Sequence, residues 1–179
     1  MEYIAQFILA NVISRIKKKQ FYLTMVYAFN DGTERTAMWQ TSEQFQAQCQ
    51  GPLAIAGDFN TVINPAERLG GNTKQSDMDE FIDFLSNCGM IYISASGAYY
   101  TWTNKQELLT RVYRRLDRFI VNQDWSTQFP DMNAHFHPAG LVDHCPCIVS
   151  SNQVTSMRRS SFKYFNLWGK ATSFLQRVQ

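Results

Sequence analysis

Charge is scarce in this chain of 179 residues: Asp, Glu, Lys and Arg make up 18% of it, against the ~25% of an ordinary soluble domain. With 45% hydrophobic and 14% aromatic residues, that scarcity excludes a disordered charged tail and a collagen-like chain. Neither sign prevails. Seventeen basic and fifteen acidic residues leave a net charge of +2, so the field of the whole molecule is weak. Any nucleic acid would have to be met by a local patch. No run of ~18 apolar residues occurs, so no transmembrane helix is expected and no membrane partner. The lysines of Met1–Gln20 follow the apolar run instead of preceding it, the wrong order for a secretory signal. Cysteine is sparse as well. Cys49, Cys88, Cys145 and Cys147 do not read as a disulfide framework, and a reducing compartment is the simpler assumption. No internal repeat or low-complexity segment stands out. What remains is one domain of ordinary size, long enough to bury roughly 70% of its unfolded surface without staples.

Along the chain, strands and helices interleave. Gln6 to Ile13 is apolar, and Phe21–Tyr27 is aromatic and β-branched; with a polar link between them, a hairpin is expected. Thr33–Gln50 carries Met38, Trp39 and Phe45 at helical spacing and stops at Gly51-Pro52. Leu53–Ala56 is a short apolar run before Gly57-Asp58-Phe59-Asn60, a buried strand feeding a polar turn. Ser76–Asn87 reads as a helix capped by Ser76, with Met78, Phe81, Ile82 and Leu85 on one face. Strands are expected at Ile91–Ser94, Tyr99–Thr103, Arg115–Asn122, His135–Pro138 and Cys147–Ser150. Ser and Arg clusters after Ser150 suggest a linker, leaving residues 1–150 as the domain. Residues 151–179 then form a linker and an amphipathic tail with Phe162, Phe165, Trp168, Phe174 and Leu175. The interleaving argues for a layered α/β sandwich.

Polar groups fall where apolar runs close: Tyr27, Asp58 with Asn60, Asp117, and Asp143 with His144. Loops at strand ends carry such groups because the strands position them. Asp58 and Asn60 would face one side of an extended chain. They either build a turn or offer oxygen ligands to a hard cation. His144 could serve a phosphate if a carboxylate held its other nitrogen; alone it reads as a structural histidine. Arg111, Arg114, Arg115 and Arg118 form the densest basic cluster, either a phosphate-binding patch or a solvated, salt-bridged face. Lys17–Lys19 is a second candidate for binding nucleic acid. His135, His137, His144, Cys145 and Cys147 are zinc-type donors within 13 positions, at a spacing that fits no standard zinc pattern.

Read together, Gly57-Asp-Phe-Asn60, Tyr100-Thr-Trp-Thr-Asn104, Arg115-Leu-Asp-Arg118 and Asp143-His-Cys-Pro146, in this order, resemble the endonuclease/exonuclease/phosphatase superfamily. More closely, the text resembles the endonuclease domain of plant LINE-type (non-LTR) retrotransposons, whose style Phe21–Tyr27, Asn64–Gly71 and Phe162–Trp168 share. The resemblance covers Gln6 to about Val149. It implies a DNase I-like four-layer α/β sandwich, incomplete at its N-terminus, that cleaves DNA phosphodiesters with Mg²⁺ or Mn²⁺. It also implies a nuclear location and a reverse transcriptase beyond the tail. By matching motifs, Asp58 would orient or deprotonate water, Asn60 would fix Asp58 and the phosphate, and His144 would stabilise phosphoryl charge while Asp117 held its ring. Asp143 would join Asp58 near the metal, and Tyr27 would contact the scissile phosphate. Asn30, Thr101 and Trp102 would lie along the DNA, with Arg115 and Arg118 on its phosphates. The family carries an Asn strand and a Glu strand ahead of the one matched by Phe21–Tyr27. Neither finds room here, so the main metal carboxylate is expected to be absent and the cation weakly bound. Val142 also replaces the usual Ser. The expected function is an impaired endonuclease domain, with an active nicking hydrolase or a non-catalytic DNA binder as alternatives.

Overall fold

The computed structural model describes residues 6–15, 18–107 and 109–151. The expected tail beyond Ser151 and Lys17 of the lysine run lie outside them. The expected hairpin forms from β1 (Phe7–Ser14) and β2 (Lys19–Tyr27), with Val12 opposite Phe21 and Phe7 opposite Val26. Helix α1 (Gly32–Gln46) then crosses over to β3 (Leu53–Asp58), which lies parallel to β2, as a parallel pair requires. Asp31 starts α1, its Oδ1 accepting from the Thr33 and Glu34 amides at 2.9 and 3.2 Å, a cap worth about 1 kcal/mol. A 3-10 turn at Pro65–Glu67 and β4 (Arg68–Leu69) lead to α2 (Gln75–Asn87).

The sequence places the start of α2 imperfectly. Lys74, not Ser76, is the flanking residue, and no side chain caps it; the first turn is held instead by Asp77, whose Oδ2 accepts from Arg35 Nη2 at 2.5 Å. The buried stripe is Met78, Phe81, Phe84 and Leu85. Ile82 is 44% exposed, because it sits about 100° round the helix from Phe81, where the stripe is centred. The Ile91–Ser94 strand divides in two: β5 (Ile91–Tyr92) pairs in one sheet and β6 (Ser94–Gly97) in another. Only β7 (Trp102–Thr103) of the next predicted strand is extended and paired, against β8 (Tyr113–Arg114). The remaining elements are β9 (Asp117–Val121), α3 (Gln123–Gln128), β10 (Met132–Phe136) and β11 (Cys147–Ser151).

The main sheet runs β1-β2-β3-β9-β5, a second β11-β10-β6 and a small third β4-β8-β7. Helices α1 and α2 cover one face of the main sheet. Their Trp39, Phe81 and Phe84 pack with Phe59, Trp39 and Phe84 stacking at 4.7 Å between centroids, over Ile55 and Ile120. On the other face, Ala54, Phe119 and Val121 pack against Ala134 and Phe136 of the second sheet. Strands β3 and β9 are therefore covered on both sides, which is why they read as nearly continuous apolar runs. Each fully buried Ile or Phe contributes about 1.5–3 kcal/mol. That two-sided burial clamps the two strands whose ends carry Asp58 and Asp117.

Candidate active site

Strand β3 can end as it does only because residue 57 is glycine. Its φ is +135°, and a Cβ there would stand 1.9 Å from the Val26 carbonyl oxygen. Asp58 follows, 7% exposed, and the chain turns through Asn60 at φ +49°, a left-handed conformation that Asn tolerates better than most residues. The Asn60 amide donates to Asp58 Oδ1 at 2.8 Å, so the turn and a carboxylate facing one way are the same feature. The Asn60 side-chain Nδ2 donates to Asn30 Oδ1 at 2.7 Å and to the Ala28 carbonyl at 3.3 Å. Register places Asp58 opposite Tyr27 on one side and Asp117 on the other, so the three side chains leave the same face of the sheet.

His144 reaches this row from the loop before β11. Its Nδ1 lies 2.9 and 3.1 Å from the two Asp117 oxygens. A carboxylate only accepts, so Nδ1 carries the proton. Nε2 then faces Asp58 Oδ2 across 3.9 Å. That is an ion-pair distance, too long for a hydrogen bond and too short for an atom to lie on the line between them; an oxygen set beside that line, about 2.8 Å from each, meets both. The hydrogen bond that His144 donates to Asp117, against an opposing cost of burial, raises its pKa above the ordinary 6.5. Burial, followed by the partly opposing Asn60 amide, raises that of Asp58. The pair thus consists of a carboxylate made more basic and an imidazole inclined to stay protonated.

The structure gathers Tyr27, Asp58, Asn60, Asn30, Asp117 and His144, and disperses the other expected groups. Thr101 is not on a rim: it is fully buried, its Oγ1 accepting from the Leu116 and Asp117 amides at 3.0 and 2.8 Å. It fixes the start of β9. Arg118 is 3% exposed and grips Glu67 with both Nη atoms, at 3.1 and 2.5 Å; it belongs to the interior and does not face DNA. Asp143 is exposed, its Oδ2 accepting from Trp102 Nε1 at 3.2 Å. Its own backbone amide first, then that indole, hold its carboxyl below the usual range. Trp102 is half-buried at the surface, Arg115 lies over the Tyr99 ring at 5.2 Å, and Tyr27 is largely exposed.

Three residues hold the site, and of them the sequence singled out only Arg114, as part of the basic cluster. Buried Arg35 donates to the carbonyls of Phe29 and Asn30 at 2.9 and 2.7 Å, pinning the loop that presents the Asn30 amide. Glu67 accepts from the Ile63 amide at 2.9 Å while pairing with Arg118, which ties the loop after Asn60 to β9. Arg114 Nη2 donates to the Asn60 carbonyl at 3.2 Å; burial lowers its pKa, as do the neighbouring charges of Arg68 and Arg35. Nothing short of the fold relates these positions.

Among the described residues, no three His, Cys, Asp or Glu side chains stand close enough together to hold a metal ion. Asp58 supplies the one carboxylate that faces the gap without being engaged by His144 through a hydrogen bond. Mg²⁺ keeps several waters and binds through one or two carboxylates plus substrate phosphates. The oxygens of Asp58 and Asn60 therefore suit a cation that arrives with a phosphate, and not one held by protein ligands alone. No helix among the described residues is long and apolar enough to cross a membrane.

No protein-family model and no curated protein matches the sequence. Solved structures do match the fold. The endonuclease domain of TRAS1, a telomere-specific non-LTR retrotransposon, is similar with a TM-score of 0.59 at 13% identity, over 83% of this chain and 64% of that one. The 3′ phosphatase NExo from Neisseria, bound to a product DNA hairpin, gives 0.60 at 16% identity, over 82% and 65%. The fold is DNase I-like. A variant of beta toxin from Staphylococcus aureus with bound magnesium ions shares the DNase I-like fold at a TM-score of 0.54 and 14% identity, over 82% and 57%. The chain spans between 57% and 65% of the length of these three structures.

Proposed function

We propose that this chain is a DNase I-like phosphodiesterase that cuts DNA, of the kind carried by plant LINE-type retrotransposons, with its rate limited by weak hold on Mg²⁺ or Mn²⁺. The supporting observation is the His144 ring, fixed by Asp117 with its Nε2 3.9 Å from Asp58 Oδ2, so that both side chains can meet one phosphate set beside them. In this reading Asp58 takes a proton from a water bound beside it. The water oxygen attacks phosphorus as the opposite P–O bond breaks, and that leaving oxygen is protonated by solvent. Protonated His144 donates Nε2–H to a non-bridging oxygen, where negative charge grows in the transition state. Asn60 and Asn30 hold the carboxylate and the phosphate in register. The cation, when bound by Asp58 and Asn60, neutralises phosphate charge. Tyr27 meets the scissile phosphate, and Trp102 and Arg115 meet the flanking DNA. Residues beyond Ser151 lead toward a reverse transcriptase on the same reading.

The experiment is conversion of supercoiled plasmid to open circles by purified protein in Mg²⁺ or Mn²⁺. Slow conversion is expected, with Asp58→Ala and His144→Ala each reduced about 10²–10⁴-fold, the usual worth of acid–base groups. Salt-dependent DNA binding without cutting, or cutting that survives both substitutions, would overturn the proposal.

A further inference from the structure

The histidines outside the hydrolytic site have a defined arrangement. His135 and His137 alternate along the chain with buried Phe136, so both leave the outer face of the second sheet. Their rings touch edge to face, 4.6 Å between centroids. Cys145 and Cys147 do not join them. Cys145 is buried and donates Sγ–H to the Tyr100 carbonyl, and Cys147 pairs with Phe136 on the inner face. The five zinc-type donors of the sequence thus separate into a buried Cys145, an exposed Cys147 on the other face of the sheet, His144 in the hydrolytic row, and an outward His-x-His.

A polar relay fixes the tautomer of His135. Asn133 Nδ2 donates to the Ser94 carbonyl at 3.1 Å, which settles which end of that amide is oxygen. Asn133 Oδ1 lies 3.1 Å from Ser96 Oγ and only accepts, so the Ser96 hydroxyl donates to it. Ser96 Oγ is therefore left to accept from His135 Nδ1, 2.9 Å away. The proton sits on Nδ1 and the lone pair of Nε2 is free. Holding one ring nitrogen by a hydrogen bond so that the other ligates is how proteins orient metal-binding histidines. Gly97 makes room for the ring: a Cβ there would stand 3.2 Å from His135 Cε1.

We propose that His135 and His137 form a surface site for a borderline divalent cation such as Zn²⁺, with Ser96 as the residue that orients His135. Paired imidazoles favour such ions over Mg²⁺, which prefers oxygen. The remaining coordination positions open to solvent. Calorimetric titration of the full chain with ZnCl₂ in excess Mg²⁺ tests this. About one equivalent of Zn²⁺ is expected. His135→Ala and His137→Ala should each weaken it at least tenfold, Ser96→Ala by about tenfold, the low end for loss of an orienting partner, and His144→Ala should leave it intact. All four side chains are at least partly exposed, so the variants should fold, which circular dichroism checks. No zinc uptake, unchanged uptake in the His135/His137 double variant, or uptake lost only with His144 would overturn the site. Unchanged uptake in Ser96→Ala would overturn the relay.

Discussion

The Glu67–Arg118 pair offers the sharpest test of how the site is held. The two side chains are 3% and 1% exposed, and Glu67 also accepts the Ile63 amide. Glu67→Ala removes the counter-charge and leaves a buried guanidinium to the carbonyls of Thr61 and Arg115, at 3.3 and 3.0 Å, and to the rings of Phe81 and Tyr92. Breaking a buried pair from one side costs about 3–5 kcal/mol, a large part of a typical stability of about 5–15 kcal/mol. With a urea m-value of about 2 kcal/mol/M, the unfolding midpoint should fall by about 1.5–2.5 M. Glu67→Gln keeps the Ile63 bond but not the charge, and should fall between wild type and Ala. Glu67→Met with Arg118→Met removes both charges and should recover most of the loss, because well-packed apolar replacements of a buried pair are often neutral. Equilibrium urea unfolding followed by tryptophan fluorescence reads all three. A midpoint shift under about 0.5 M for Glu67→Ala, or a double variant worse than the single, would refute the reasoning.

Asp58→Asn should raise stability by about 0.5–2 kcal/mol while abolishing cutting, since burial disfavours the ionised Asp58 and function tolerates that cost; calorimetry would refute this by finding a lower Tm. His144 titrates above its ordinary 6.5 in the folded state. Its stabilising contribution is therefore full below the unfolded value and lost as pH rises through the folded one. Asp117→Asn should lower the His144 pKa and narrow the stability gap between acidic and alkaline solution, read by NMR titration of the ring and by unfolding at several pH values. Cys88, pushed up to about 12 by burial and then by Glu43, should be the slowest of the four thiols to react with a disulfide reagent near neutral pH; mass mapping that found it first would contradict its placement.

How much of this was legible in the sequence depended on whether a feature is local. The hairpin, both main helices and strand β3 follow from short-range pattern; the Asp31 cap of α1, though local, is visible only in the structure. The sheet change after Tyr92 is not, because Ile91–Ser94 reads as one apolar run and only the separate partners Val121 and Asn133 divide it. The motifs carrying Asp58, Asn60, Asp117 and His144 pointed to residues that do converge. The same motifs misplaced Arg118 and Thr101. Charge and polarity suggested a surface, whereas the fold buries both as internal supports, Arg118 against a Glu67 fifty-one positions away. Asp143 lies in an exposed bend, where Trp102 Nε1 takes its carboxylate, a contact that its adjacency to His144 in sequence does not reveal.

The central claim is that Asp58 and His144 act as one unit on a phosphate held against both, and a double-variant cycle on plasmid nicking measures this most directly. Groups that serve the same step lose their effect together. Asp58→Ala combined with His144→Ala should therefore cut no more slowly than the worse single variant. Losses that multiply, or nicking that proceeds unchanged without either side chain, would contradict it.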